Sequence, residues 1–361
     1  MIGMTITRYF AMRFMRTILA IFFTIFCLTF VVVFVEMLRR ASDNPAAGAG
    51  TVALMTAMKV PAAAEMILPF AVLFGSMATF VDLTRKLELI VARAAGMSVW
   101  QFITPPVLTA LTIGIVSVTI YNPLSAIMKE RSDQMEFELF GRPGSVRFDH
   151  GLWLRQHGVD GTAVLYAQQA ADGGRNLTAV SVNIYSATGA FVERVLAAKG
   201  HLEPGVWVLE SSTVSAPGEP ARFVGTYMLA TDLTPEQAAA AVTPPQGTPF
   251  WDLPGVAERT AEAGLDASGY RLQFQTLLAR PLLLVAMVLV SASFSLRFFR
   301  FGGVAKTLSG GVAAGFVLYI VTKVLSDLGG AGMISPLVAA WSPALVGSML
   351  GTLTLLYSED G

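Results

Sequence analysis

Few residues of this chain have the types and spacing that make or break bonds. Gly302-Gly-Val-Ala-Lys-Thr307 has the outline of a phosphate-cradling loop, but Ala305 stands where glycine must precede the lysine. An apolar run rather than a strand leads into it, so no nucleotide site is expected there. His150, His157 and His201 lie in one stretch without a cysteine to join them, so no metal set is expected either. The single cysteine, Cys27, sits in an apolar run and excludes an intrachain disulfide. No nucleophile elbow or HExxH pattern occurs, and no cofactor is called for. What remains is charge set beside apolar sequence. Arg85, Glu88 and Arg93 crowd one short segment, Arg39, Arg40 and Lys59 surround another, and Glu65 and Lys323 lie inside long apolar runs. That pattern suits recognition of a partner and of anionic groups better than catalysis.

The elements that must position these charges follow from composition. Apolar residues make up 54% of the chain and charged ones 14%, which excludes an ordinary soluble domain and points to a polytopic membrane protein. Six apolar runs each reach or exceed about the 20 residues that cross a bilayer: Thr17–Val35, Met55–Val81, Phe102–Tyr121, Leu277–Leu296, Val304–Leu325 and Leu337–Tyr357. Pro61 and Pro69 are expected to kink the second. Between the second and third runs, Asp82–Ser98 places Leu83, Leu87, Ile90 and Ala94 at helical spacing among charges. It is expected to be a surface helix of about three turns, more than a connector requires, with Glu88 pointing away from the membrane while Leu87 and Ile90 pack. The bland alternative is a helix that rests in the headgroups.

From about Lys129 to Thr231 the texture changes to period-two alternation, at 163–168, 178–186, 191–198, 205–214 and 222–229, punctuated by Gly, Asp, Asn and Pro. An all-β insertion of sandwich or jelly-roll type is expected, followed by a Pro- and Ala-rich connector, Thr234–Pro249. A surface helix beginning at Phe250-Trp-Asp-Leu-Pro then leads into the fourth span, with Gly264 as its C-cap. The organisation expected is 1–128, a membrane half with three spans; 129–249, the β domain; and 250–361, a second membrane half. Basic residues cluster at Arg8, Arg13 and Arg16, at Arg85, Lys86 and Arg93, and at Arg297, Arg300 and Lys306. These three groups fall on one side of a six-span chain, which makes that side cytoplasmic and places the β domain outside. Arg39, Arg40 and Lys59 run against this bias, and two roles fit them: anchors that snorkel, or ligands for lipid phosphate. Two small-xxx-small patterns, Gly311 to Gly315 and Gly347 to Gly351, permit close helix crossing within the chain or with a second one.

RKLELIVARAAGMSVW (85–100) resembles the cytoplasmic coupling helix of the LptF/LptG (YjgP/YjgQ) permease family, membrane subunits of the lipopolysaccharide export ABC transporter. The likeness extends to the order of three spans, β domain and three spans, and to ERVLAAKGHLEPGVWVLES (193–211). The FWDLP helix, YRLQFQTLLARPLLLVAMVLVSASFSLR, LGGAGMISPLVAAWSPALV and the terminal Ser-Glu-Asp-Gly look more like LptG than LptF. The resemblance implies a polytopic α-helical inner-membrane protein, six spans arranged 3+3, with an inserted periplasmic β-jellyroll-like domain and both termini cytoplasmic. It implies a transport subunit without its own ATPase, partnered by an LptB-like ATPase homodimer, an LptF-like second permease, an LptC-like single-span bridge protein and lipopolysaccharide. By the same resemblance Arg85, Glu88 and Arg93 couple to the ATPase, with Glu88 at the position of the family's glutamate. Arg39, Arg40 and Lys59 receive lipid phosphates, and Ile184 and Val208 line the acyl path in the β domain. The rivals are the LptF-type paralogue and a non-transporting scaffold that displays a β domain; a scaffold would purify without an ATPase.

Overall fold

A helix satisfies its own backbone, so apolar runs of this length can cross a bilayer only in that form or in a closed barrel. In the computed structural model six helices among the described residues are long and apolar enough to cross a membrane. The structure describes residues 2–42, 48–140, 146–158, 161–171, 174–186, 188–234, 238, 245–262, 267–296 and 304–360. In chain order the helices are α1 (Ile2–Ala41), α2 (Ala49–Arg85), α3 (Glu88–Ala94), α4 (Val99–Val116), a π-helical turn (Ser117–Tyr121) and α5 (Asn122–Phe140). After six strands come α6 (Leu253–Glu262), α7 (Ser268–Ser295), α8 (Val304–Gly330) and α9 (Pro336–Asp360).

Three helix boundaries depart from the expectation. The third span does not end at Tyr121, because the π turn carries it into α5 and the helix runs on to Phe140. Its later residues include Met128, Lys129, Glu130, Gln134, Met135 and Glu136, which have high intrinsic helix propensity, and Pro123 stands two residues beyond the end of the π turn, which absorbs the break. Asp82–Ser98 is not one amphipathic helix. α2 continues to Arg85, Leu87 turns into the left-handed region at φ 60°, and α3 spans only seven residues. The surface helix after Phe250 is likewise shorter, Leu253–Glu262, and Gly264 lies outside the described residues.

The chain divides into two units. One is helical and comprises Met1–Ser132, Pro249–Trp251 and Arg271–Gly361; the other comprises Asp133–Thr248 and Asp252–Tyr270. In the helical unit glycines set the closest approaches. Both small-xxx-small patterns pack within the chain: Gly311 and Gly315 against Met77 and Leu73 of α2, Gly351 against Leu289 of α7. The tightest backbone contact of a described glycine in this unit is at Gly114, where an added Cβ would lie 2.5 Å from the Cα of Pro281. Backbone cannot swing aside as a side chain can. Gly114→Ala is therefore expected to destabilise the purified chain by about 1–3 kcal/mol, read as a lower midpoint of thermal unfolding in detergent, while Gly50→Ala, in open space, leaves it unchanged.

The strands form one six-stranded antiparallel sheet in sequential order: β1 (Val146–Gly158), β2 (Gly161–Ala171), β3 (Asn176–Tyr185), β4 (Phe191–Glu203), β5 (Val206–Ser215) and β6 (Arg222–Ala230). The all-β insertion is present, and its topology is a meander with a strand beyond the five expected. A register shift between Arg147 and Leu152 interrupts the alternation of β1, which hides it in the sequence. One face of the sheet buries Leu165, Val182, Val195, Trp207 and Leu209 in a common core. The sheet curls until Thr231, just past β6, donates its hydroxyl to Gln156 Oε1 of β1 at 2.7 Å. Among the described residues β1 and β6 nevertheless share no ladder, so each is an edge strand there. Ala179 and Ser211 take positive φ, 54° and 55°, along a line where the ladder lapses at Ala179, Ala198 and Ser211. Small side chains there let the strands bend together into a crease.

Candidate functional site

The segment expected to meet a partner is built around one guanidinium, which in the sequence stands among the basic residues ahead of the first apolar run. Arg13 of α1 places Nη1 2.8 Å from both carboxylate oxygens of Glu88, and its Nη2 pairs with Asp82 near the end of α2. Tyr9, one turn earlier on α1, donates its hydroxyl to Glu88 Oε2 at 3.0 Å. One arginine thus joins α1, α2 and α3. The Arg13 side chain is only 16% exposed and that of Glu88 32%, so the pair is shielded from water more than a surface ion pair is. Leu89 is fully buried and fixes the other side of α3. Leu87, Ile90 and Val91, by contrast, are exposed. The expected packing is thereby inverted: Leu87 and Ile90 face out, and Glu88 turns in towards Arg13. The reason is the break at Leu87, which rotates α3 relative to a continuous helix.

Arg85 is exposed at the end of α2, and Arg93 lies with its guanidinium 5.7 Å from the Phe102 ring centroid. No single contact unites Arg85, Glu88 and Arg93; they frame the exposed apolar face of α3 instead. Tyr9 and Arg13 are spaced i, i+4 on one face of α1, and that spacing was the signal available in the sequence.

The second set of residues lies elsewhere on α1 and α2. Arg39 and Arg40 are exposed in the last turn of α1, where Arg40 pairs with Glu36. Lys59 is half-buried ten residues into α2. Glu36 therefore competes with any anion for the Arg40 guanidinium. Glu65 is engaged within the helical unit by Arg280 and does not join this group. Lys323 pairs with Asp327 one turn on at 2.9 Å, both exposed.

In the sheet, Ile184 belongs to the buried core face with Leu165 and Val182. Val208 alternates with Trp207 and Leu209, which do belong to it, and so projects from the opposite face. Its neighbours across the ladder are His201 and Met228. Trp207 and Leu209 are the inward positions of β5 that the alternation alone could not orient. His201 lies 3.4 Å from Glu203 and 3.9 Å from Glu210; the side chains of His150 and His157 lie outside the described residues. Among the described residues no group of three His, Cys, Asp or Glu side chains could hold a metal.

A model of the family described as lipopolysaccharide export system permease LptF/LptG matches residues 8–357, through both helical segments and the whole sheet. The chain belongs to the LptF/LptG family. It is similar to the LptG permease protein of Escherichia coli (strain K12), with 22% identity over 345 residues covering 93% of this chain and 94% of the relative. The LptG protein of Haemophilus influenzae is 20% identical over 362 residues, 98% of this chain and 96% of its own. The LptF protein of Escherichia coli is 24% identical over 352 residues, 95% and 92% respectively. LptG and LptF relatives are equally well covered, so the two paralogues are not separated. This LptF/LptG permease is a multi-pass inner-membrane protein of the lipopolysaccharide export system, in which the family supplies permease rather than enzyme subunits.

Proposed function

We propose that this permease is the LptG-type half of the transporter. It pairs with an LptF-like second permease and with an LptB-like ATPase homodimer that hydrolyses the ATP, and it passes lipopolysaccharide to an LptC-like bridge protein. The reading is carried by the family match from residue 8 to residue 357, since the machine needs spans, coupling segment and β domain in one chain. In this topology the termini and α3 are cytoplasmic and the β domain is periplasmic. The organisation is 1–128, 129–249 and 250–361.

Physical chemistry assigns the tasks. Lifting a lipid with several acyl chains out of a leaflet forfeits about 0.8 kcal/mol per methylene, so ATP closure must be transmitted mechanically and the chains need apolar cover on the way. Exposed Leu87, Ile90 and Val91, framed by Arg85, Glu88 and Arg93, form the surface that seats in the ATPase. Arg39, Arg40 and Lys59 attract the phosphorylated head at the outer ends of α1 and α2. The inner sheet face at Ile184 covers acyl chains, and the open β1 or β6 edge offers strand addition to the bridge protein.

The experiment is ATP-driven release of lipopolysaccharide from proteoliposomes holding the chain co-purified with its ATPase and second permease. Release is expected from the native chain. With Arg40→Glu and Lys59→Glu together, lipid-stimulated ATP hydrolysis is expected to fall while the subunits stay assembled. A chain that purifies without an ATPase and releases no lipid is a scaffold, and the proposal fails.

A further inference from the structure

The helical unit holds one buried charged cluster that neither the coupling segment nor the outer basic residues account for. Glu65, in the middle of α2, is 7% exposed. Its carboxylate accepts from Asn122 Nδ2 at 2.9 and 3.2 Å, from Ser125 Oγ at 3.0 Å, and from Arg280 Nη1 of α7. Asn122 is the first residue after the π turn, and its other side-chain atom is also committed: Oδ1 accepts from the backbone N–H of Phe250 at 2.9 Å. The π turn itself receives a second bond from the same segment, because Trp251 Nε1 donates to the Thr119 carbonyl at 3.2 Å. Tyr121, its last residue, donates its hydroxyl to the Pro61 carbonyl of α2 at 2.9 Å. Phe250 stacks on Phe274 of α7, with ring centroids 5.3 Å apart. Residues 249–251 are where the chain re-enters the helical unit after the strands.

Charge inside an apolar helix is costly, and an ionisable residue there points to a task rather than to a gain in stability. The place is informative. Pro61 and Pro69 stand four residues before and after Glu65, and each removes a backbone hydrogen bond from α2. Left alone, those turns would bend when the far end of α2 moved. That far end carries Asp82, about 26 Å along the helix axis at 1.5 Å per residue, where Arg13 ties it to Glu88. The carboxylate of Glu65 and the hydroxyl of Tyr121 brace the weakened turns against the π turn and α7. The π turn in its turn holds residues 249–251.

We propose that Glu65, Asn122 and Arg280 are positioning residues of the export reaction. They form a node that stiffens the proline-flanked middle of α2 and fastens it to Phe250 and Trp251, so that displacement of the coupling end of α2 is delivered to residues 249–251. Their role is assigned through the contacts they make with one another and with Phe250. The inference rests on the coupling role proposed for α3, and two readouts separate its failure from a failure of that role.

The first readout needs no transport. Hydrogen exchange is followed at the Phe250 amide in the full chain, reconstituted with its ATPase and second permease, for the native protein, Glu65→Gln and Arg280→Met. Both substitutions leave Asn122 and Phe250 in place, yet both are expected to speed exchange at Phe250 about tenfold, with exchange at Val182 in the sheet unchanged; a tenfold change corresponds to about 1.4 kcal/mol of local opening. Native exchange at Phe250, or an equal rise everywhere, overturns the node. The second readout is the amount of lipid captured by a photo-crosslinker at Ile184 per ATP hydrolysed. Glu65→Gln is expected to lower this ratio about fivefold or more while ATP hydrolysis continues, and Arg280→Lys, which keeps the charge, to retain more of it than Arg280→Met. An unchanged ratio overturns the node. Absence of any ATP-dependent capture in the native protein counts against the export reading, and the exchange result still decides the node.

Discussion

Glu88→Lys is expected to release the ATPase or to break the link between hydrolysis and lipid release. The native carboxylate holds two guanidinium contacts and one phenolic hydrogen bond, and charge-assisted bonds of this kind contribute about 1.5–3 kcal/mol. An ammonium at the same place loses them and meets Arg13 at contact distance. α3 has little else to hold it. It is seven residues long, Leu87 gives its first turn no side-chain cap, and Leu89 is its one buried residue. Lys86→Glu is expected to do much less, since Lys86 is exposed and its i, i+4 contact with Asp82 is of the weak surface kind. Arg13→Glu with Glu88→Lys restores an ion pair of reversed sense, and Asp82→Asn is added because Asp82 also pairs with Arg13 and would otherwise face a second carboxylate. If Glu88 serves only to orient α3, this triple variant recovers ATPase binding relative to Glu88→Lys; if the carboxylate also meets a basic group of the ATPase, it does not. Co-purification and ATP-driven release from proteoliposomes measure both. Should Glu88→Lys retain its ATPase and full release, the coupling role assigned to Glu88 is wrong.

The spans were legible because length and apolarity are local properties of the sequence, and all six runs are helical in the structure. Where the reading failed, the deciding contact was distant in sequence. Nothing near Glu88 announces Arg13, 75 residues earlier, and without that partner a continuous amphipathic helix with Glu88 outward was the simpler pattern. The break at Leu87 had no glycine to signal it. Strand β1 was hidden by its own register shift, and α5 by the charges that follow Asn122-Pro123, which resemble an exit from the membrane when the π turn is unknown. Glu65 stood out as an ionisable residue inside a span, but its partners Asn122 and Arg280 lie 57 and 215 residues away. Both small-residue patterns could be read as contact motifs; only three dimensions show that each is used within the chain.

The sheet makes the sharpest prediction of function, because alternation assigns opposite faces to neighbouring residues. Ile184 lies on the core face with Val182 and Leu165, whereas Val208 lies on the other face between inward Trp207 and Leu209. If the curled inner face carries acyl chains from the membrane, a photo-crosslinkable residue at Ile184 captures lipopolysaccharide in cells that make it, and the same residue at Val208 captures none. The two positions are buried to a similar degree, 6% and 9% exposed, so accessibility does not produce the difference. Trp207 is fully buried on the core face, and adducts from that position are expected as well. Placing a carboxylate at the same site gives the complementary test. Ile184→Asp puts an unpaired charge on the apolar path at a cost of several kcal/mol to any chain passing over it, and is expected to stop ATP-driven release while the ATPase stays bound. Lipid captured equally at Ile184 and Val208, or at neither while adducts form on the membrane helices, means that the inner face of the sheet is not the acyl path.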